Sequence, residues 1–333
     1  MLDTIKKSPL EPLRPVLELL ADGETHSGEA LGLALGVSRA AVWKQLQKLE
    51  QYGLALESIK GQGYRLPGGL ELLSSEKIYS TLGEQAGVLL RELMLFDEVD
   101  STNTELLSLM EEGRGHGVAL LSERQSAGRG RRGRQWVSPY GAGISLSIGW
   151  EFNGGVQCLE GLSLAVGVAI ARALERFSVP DVRLKWPNDV WCRGRKLSGV
   201  LLELKGDLTD RCAVVIGIGL NSGLRSEIAT AIDQPWADLQ QVKPGISRNR
   251  LVAAILTELL PLLYSYTEQG FVAYREAWMK LDQFAGQKVT LQAGSQTWSG
   301  VAVGVSEKGA LKLNMDGQVQ HFHGGEISLR GQV

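Results

Sequence analysis

The sequence is poor in the residues that build covalent or metallic cross-links. Its 333 residues hold three cysteines, Cys158, Cys192 and Cys212, scattered, odd in number and without a C-x-x-C pair. That excludes a disulfide framework and favours a reducing, cytoplasmic setting. Histidine is as scarce: His26, His116, His321 and His323 are the four. No Cys/His cluster has zinc-ligand spacing, so no metal-ligating residue is assigned. His321 and His323 share one face of a strand pattern and read as two exposed histidines in preference to a metal pair. No 18-residue apolar run occurs, so no membrane span is expected. The N-terminal MLDTIKKSPLEPLRP lacks the apolar region of a secretory signal. Charge of one sign is not in excess either: 35 Lys and Arg stand against 37 Asp and Glu, a net −2. This excludes a wholly basic nucleic-acid coat and leaves room for one small DNA-binding domain.

Glycine is the abundant residue, 41 of 333, without the G-x-y period of collagen. The glycines are therefore expected at turns, caps and places where backbone approaches a ligand. At roughly 100–200 residues per domain, the length suggests two or three domains. The texture divides the chain into residues 1–66, helix-rich with a terminal hairpin, 67–281, alternating helix and strand, and 282–333, almost purely strand-like. Leu66-Pro67-Gly68-Gly69 reads as a linker. Leu70 to Leu82, Ile246 to Gln269 and Phe271 to Leu281 read as helices.

In the head, Ser27 and Ser38 are N-cap candidates for two short helices, with Gly36 in the turn between them. Val42, Leu46 and Leu49 recur at i, i+4, i+7 and face a core. Arg39, Trp43, Lys44, Gln45 and Lys48 lie between them, and no acidic residue occurs from Ala30 to Leu49. Two strands then flank Lys60-Gly61-Gln62-Gly63, and Arg65 follows. This is a winged helix-turn-helix pattern. Arg and Gln on such a helix read base edges, Lys meets phosphate, and Lys60 and Arg65 touch neighbouring backbone. The plainer alternative is a helical interaction module with a solvated basic face.

The densest motif is Gly128-Arg129-Gly130-Arg131-Arg132-Gly133-Arg134, preceded by Gln125 and followed by Gln135-Trp136. Backbone amides at glycine approach an anion closely, and arginines add forked donors, so the segment suits a nucleotide or acyl phosphate. It satisfies G-x-G-x-x-G but is not a dinucleotide fingerprint, because turn and strand follow it where a helix is required. The competing reading is a nucleic-acid or localisation patch. In Lys185-Trp186-Pro187-Asn188-Asp189 a strand ends at a proline turn. That leaves Lys185 among apolar neighbours, paired with an anionic ligand or with a structural acid such as Asp189. Lys196-Leu197-Ser198-Gly199-Val200-Leu201-Leu202-Glu203 and Gly217-Ile218-Gly219-Leu220-Asn221 put glycines in strands, a sign of close approach. Asp100-Ser101-Thr102-Asn103 looks like an ordinary helix cap, with Glu105 completing a capping box.

Taken together, these five motifs occur in the order and spacing of the biotin protein ligases. With the winged head and the ending Gly324-Gly325-Glu326-Ile327-Ser328-Leu329-Arg330, the chain resembles the bifunctional bacterial BirA type throughout. The resemblance implies an α+β multidomain fold. Its parts are a winged helix-turn-helix, a central mixed α/β sheet domain similar to class II aminoacyl-tRNA synthetases, and a C-terminal SH3-like β-barrel. It implies biotin, ATP and Mg²⁺ as reactants and cofactor, with biotinyl-5′-AMP as intermediate and corepressor. The implied partners are the biotin carboxyl carrier protein of acetyl-CoA carboxylase, biotin operator DNA and a second copy of the chain.

For the site, the resemblance implies biotin contacts at Ser101, Thr102, Asn103, Gln125, Arg129, Gly130, Arg131 and Lys185. It implies adenylate contacts at Arg131, Arg134, Trp136, Asn221, Trp236 and Arg330, with Leu224 to Trp236 as the adenylate loop. Lys185 and Arg131 take the catalytic roles, and Ser38, Arg39, Trp43, Lys44, Gln45, Lys48, Lys60 and Arg65 the DNA-facing ones. Two alternatives stand beside this reading: a lipoate–protein ligase, which the arginine loop and winged head oppose, and a ligand-responsive regulator without catalysis, which Arg129, Arg131 and Lys185 oppose.

Overall fold

The structure, a computed structural model, describes residues 10–205, 211–224, 232, 234–293, 295–323 and 327–331. The head folds as helices α1 (Arg14–Leu20), α2 (Gly28–Leu35) and α3 (Arg39–Glu50) and a hairpin of β1 (Glu57–Ile59) and β2 (Gly63–Arg65). The Ser27 and Ser38 hydroxyls accept from Ala30 N and Ala41 N, so both expected caps form. Gly36 closes α2 in the left-handed region, at φ 66. Val42, Leu46 and Leu49 are buried against Leu17, Leu20 and Leu31. The head core also takes in Tyr140 from far along the chain. Tyr140 Oη donates to Asp97 Oδ1 at 2.7 Å, and Arg14 Nη1 donates to the same oxygen at 3.0 Å. One carboxylate thus ties the head to the sheet behind it.

Leu70 to Leu82 is not one helix. Residues 70–74 form neither helix nor strand, and α4 (Ser75–Tyr79) and α5 (Glu84–Leu89) follow. This irregular stretch is held by tertiary bonds that outweigh local propensity. Leu73 N donates to Glu123, while the Glu71 carboxylate accepts from Ser247 Oγ, Arg248 N and Asn249 Nδ2.

The central body is a seven-stranded sheet with α6 (Thr102–Glu111) on one face. Its strands are β3 (Glu92–Val99), β4 (Val118–Gln125), β5 (Gly143–Asn153), β6 (Val182–Lys185), β7 (Asp189–Cys192), β8 (Arg195–Lys205) and β9 (Arg211–Asn221). The order is β3-β4-β5-β9-β8-β7-β6, with β3 and β4 parallel and the other pairs antiparallel. The opposite face packs on α7 (Leu162–Arg176), followed in the chain by a short α8 (Leu239–Val242), then α9 (Arg248–Gln269) and α10 (Val272–Leu281). Stretches 156–176 and 248–269 are long and apolar enough to cross a membrane by composition, but 61% of each apolar window is buried in the fold. They are core helices. Arg248 is buried with Glu123, Nη1 to Oε2 at 2.8 Å.

The last five strands, β10 (Lys288–Ala293), β11 (Gln296–Val305), β12 (Leu311–Met315), β13 (Gln318–Phe322) and β14 (Ile327–Gly331), form an antiparallel sheet in the order β13-β12-β11-β10-β14. It docks on the central body: Trp186 Nε1 donates to Gly309 O at 3.0 Å and Arg275 Nε to Val305 O at 2.9 Å. His321 and His323 are both exposed.

Candidate active site

Strand ends of the central sheet and the arginine loop enclose a cavity of about 380 Å³. Its first wall is the N-terminus of α6, carrying Ser101, Thr102 and Asn103. The expected cap is replaced here. Ser101 occupies the N-cap without a side-chain cap bond, and Gln125 from β4 supplies the acceptor instead. Its Oε1 accepts from Thr102 N at 2.8 Å and Thr102 Oγ1 at 3.1 Å. Gln125 Nε2 donates to Ser145 Oγ at 3.2 Å, fixing the amide's orientation. Asn103 is buried. Its Oδ1 accepts from Ser147 Oγ at 2.5 Å and its Nδ2 donates to Glu203 Oε2 at 2.8 Å.

The arginine loop closes on itself as a small ribbon. Gly130 N donates to Arg134 O at 2.7 Å and Trp136 N to Gly128 O at 2.9 Å. A Cβ on Gly128 would meet Trp136 O at 2.5 Å, so glycine is required there. Arg131–Gly133 forms a single turn. Arg129 Nη2 donates to Glu203 Oε2 at 2.8 Å, and Arg131 Nη1 to Asn188 Oδ1 at 3.0 Å. Burial weighs most against the Arg131 charge; Arg132 adds to that, and Asp189 opposes it. Asn188 is itself fixed by Nδ2 donating to Val200 O at 2.7 Å, beside the cis peptide Trp186–Pro187.

Lys185 lines the cavity with its ammonium 4.5 Å from the Trp191 ring centre, a cation–π contact. Asp189, the structural acid considered for it, lies 2.8 Å from Lys196 Nζ, an ion pair by distance without hydrogen-bond geometry. Lys196 also lies 5.9 Å from the Trp136 ring. Arg129, Arg131, Arg132, Arg134, Lys185 and Lys196 therefore converge on a cavity whose lining, among the described residues, holds the single carboxylate of Asp189. Such a surplus of fixed cations stabilises an anion and the negative charge of a phosphoryl transition state.

The strand glycines correct one expectation. A Cβ on Gly217 would lie 2.3 Å from Asn103 Oδ1, and one on Gly219 2.4 Å from the Trp136 ring. These glycines make room for the side chains that wall the cavity. Asn221, buried at the end of β9, donates from Nδ2 to Ala237 O at 3.0 Å. It anchors the segment carrying Trp236, which bridges to Lys196 and lines the cavity. Most of the expected adenylate loop, residues 225–231 and 233, lies outside the described residues. Arg330 pairs with Thr290 in the last sheet, and its side chain also lies outside the description.

Twelve of the thirteen expected ligand residues thus share one cavity. Sequence reasoning assigned no ligand role to Lys196, Asn188, Asp189 or Glu203. All four lie inside the quoted motifs, and their signal was a charged or amide side chain within, or in the turn beside, a strand otherwise apolar. Among the described residues, no three His, Cys, Asp or Glu side chains gather into a metal site.

In the head, Arg39, Trp43, Lys44 and Lys48 are exposed along α3 and Gln45 is half-buried. Ser38 is committed to its cap. Lys60 is exposed at the wing tip, whereas Arg65 Nε donates to Glu57 Oε2 at 2.7 Å. The wing therefore presents one unneutralised cation where the sequence suggested two.

Comparison with known proteins agrees with this geometry. Residues 95–221 match the biotin/lipoate A/B protein ligase family, 13–65 a helix-turn-helix domain, and 284–330 the biotin protein ligase C-terminal domain. The chain is 40% identical to the bifunctional ligase/repressor BirA of Escherichia coli, over 96% of this chain and 97% of that one. It is 28% identical to the Bacillus spizizenii protein of the same name, over 99% and 100%. Among solved structures, the biotin protein ligase of Aquifex aeolicus in complex with biotin and ATP superposes with a TM-score of 0.63 at 30% identity, over 73% of this chain and all of that one. The chain belongs to the biotin protein ligase family, in its bifunctional ligase/repressor form.

Proposed function

We propose that this chain joins biotin to the biotin carboxyl carrier protein of acetyl-CoA carboxylase in the cytoplasm. As an adenylate-bound homodimer, it then represses transcription at a biotin operator. Residues 1–66 form the DNA-reading head, 67–281 the ligase and 282–333 the C-terminal barrel. The observation that carries the reading is the convergence of six cations with the Thr102, Asn103 and Gln125 polar wall in one cavity.

In this reading Ser101, Thr102, Asn103 and Gln125 face the ureido ring, whose donors and acceptors their hydroxyl and amide groups complement. Lys185 and Arg131 hold the carboxylate against the α-phosphate. A carboxylate oxygen attacks the α-phosphorus, and pyrophosphate departs with the P–O bonding pair. The cations lower the cost of the charge that builds there. The carrier lysine, as free amine, then attacks the acyl carbon; AMP leaves and the amide forms. Arg134, Trp136, Asn221, Trp236 and Arg330 serve the nucleotide. The loop and Trp136 exclude water that would hydrolyse the anhydride. Magnesium fits as the ion carried by the triphosphate: the one carboxylate in the cavity lining among the described residues, Asp189, faces Lys196, and magnesium characteristically relies on phosphate oxygens with few protein ligands.

Transfer of labelled biotin to a carrier domain, with lipoate as control, tests the ligase. Lys185→Ala is expected to abolish biotin-dependent pyrophosphate release at an unchanged melting temperature; full activity would refute the assignment. Mobility shift on biotin operator DNA, with and without biotin plus ATP, tests the repressor. Binding indifferent to adenylate would sink that half.

A further inference from the structure

The Glu203 carboxylate occupies a junction that the reaction as described does not use. It lies on β8, and its Oε2 accepts from Asn103 Nδ2 and from Arg129 Nη2, each at 2.8 Å. Asn103 sits in the first turn of α6, 100 residues from Glu203 by chain, and Arg129 begins the arginine loop. One oxygen thus joins the polar wall to the cationic loop. The Asn103 amide is held from its other end by Ser147 Oγ, and the Gly217 cradle leaves its head no slack. The fixed partner is therefore Asn103, and the adjustable one is Arg129 on its long, partly exposed stem.

We infer that Glu203 is a positioning residue: it latches the arginine loop to the biotin wall through Arg129, so that the loop stays closed over the acyl-adenylate. The inference rests on the proposed ligase reading. Three features of the junction support it. A charge-assisted bond to guanidinium is worth more than a neutral one. The acceptor is shared with a buried amide, which fixes where the carboxylate stands. The loop carries four arginines in seven residues, whose mutual repulsion favours opening unless an anion offsets it. Glu203 supplies one permanent counter-charge at the loop's first arginine.

The experiment measures release of labelled biotinyl-5′-AMP from preloaded full-length protein, together with KM for biotin and for ATP. Preloading is itself the control for the ligase reading: wild type that forms no adenylate would defeat that reading and not this one. Glu203→Gln keeps one acceptor oxygen and loses the charge, and is expected to release adenylate about threefold faster. Glu203→Ala removes both bonds and is expected to release it about tenfold faster, a change of about 1.4 kcal/mol. The discriminating readout is a double-mutant cycle with Arg129→Ala. If Glu203 acts through Arg129, Glu203→Ala adds little in the Arg129→Ala background. Additive effects would overturn the latch. So would slower release from Glu203→Ala, the result expected if the carboxylate competed with ligand phosphate for Arg129. Should Glu203→Ala fail to fold, the Gln variant decides on the same measurement.

Discussion

Gly217 and Gly219 lie two residues apart on one face of β9, and each is expected to fail in its own way when given a methyl group. At Gly219 the new Cβ would stand 2.4, 2.6 and 2.9 Å from three atoms of the Trp136 ring. The strand cannot yield, because Gly219 is paired with Ser145 on one side and Gly199 on the other. Trp136 is only half-buried and has room to swing outward. Overpacking of this kind costs about 1–3 kcal/mol where nothing moves; here the ring moves, and the cost falls on the nucleotide that would stack against it. ATP affinity should fall about tenfold, roughly 1.4 kcal/mol, with biotin affinity and melting temperature little changed. At Gly217 the Cβ would meet Asn103 Oδ1 at 2.3 Å. Asn103 is buried and tied to Ser147 and Glu203, so displacing it breaks two hydrogen bonds. Gly217→Ala should therefore lose biotin affinity and also about 2–3 kcal/mol of stability. Titration calorimetry with biotin and a non-hydrolysable ATP analogue, beside thermal melts, separates the two. Unchanged ATP affinity in Gly219→Ala, or equal losses of both ligands in both variants, would refute the assignment of these two walls.

The fold offers further tests. Arg248→Ala strands the Glu123 carboxylate, fully buried at 0% side-chain exposure, and should cost about 3–5 kcal/mol in chemical denaturation. Replacing both partners with apolar residues should recover most of it, and no recovery would contradict the electrostatic cause. Burial lifts the Asp282 carboxyl to about 6, against a backbone bond from Phe284 N that lowers it. The folded state thus holds this proton more tightly than the unfolded state, so stability is lost as pH rises from about 4 through 6. Asp282→Asn keeps the acceptor for Phe284 N and should gain on the order of 1–3 kcal/mol at pH 7.5, with little change near pH 4; a gain independent of pH would refute that origin. Arg14→Ala and Tyr140→Phe each remove one donor from Asp97 and should cost about 1 kcal/mol apiece. Because they share an acceptor, their sum should fail to add in the double variant, and strict additivity would show that the head is held elsewhere.

What the sequence made legible is what local chemistry determines. Serine caps, the Gly36 turn, the Val42, Leu46, Leu49 stripe and the strand after the arginine loop all follow from residue type and spacing. The site residues were legible because they cluster in short motifs where strands end. The errors share one cause, hydrogen bonding to partners that only the fold brings near, which overrides local pattern. Leu70 to Leu82 has a helical apolar period, yet Glu71 and Leu73 are claimed by Ser247, Asn249 and Glu123, groups 50 to 178 residues distant. A capping box was plausible at Thr102, yet Gln125, 23 residues away, supplies the acceptor. Arg65 looked free for phosphate until the hairpin register brought Glu57 opposite it. Glu203 had no visible partner in its motif because both of its donors come from elsewhere in the chain. The glycines of β9 show the same logic inverted. Their presence announces close approach, but only the fold reveals that the approaching groups are Asn103 and Trp136, side chains that a ligand then meets in their stead.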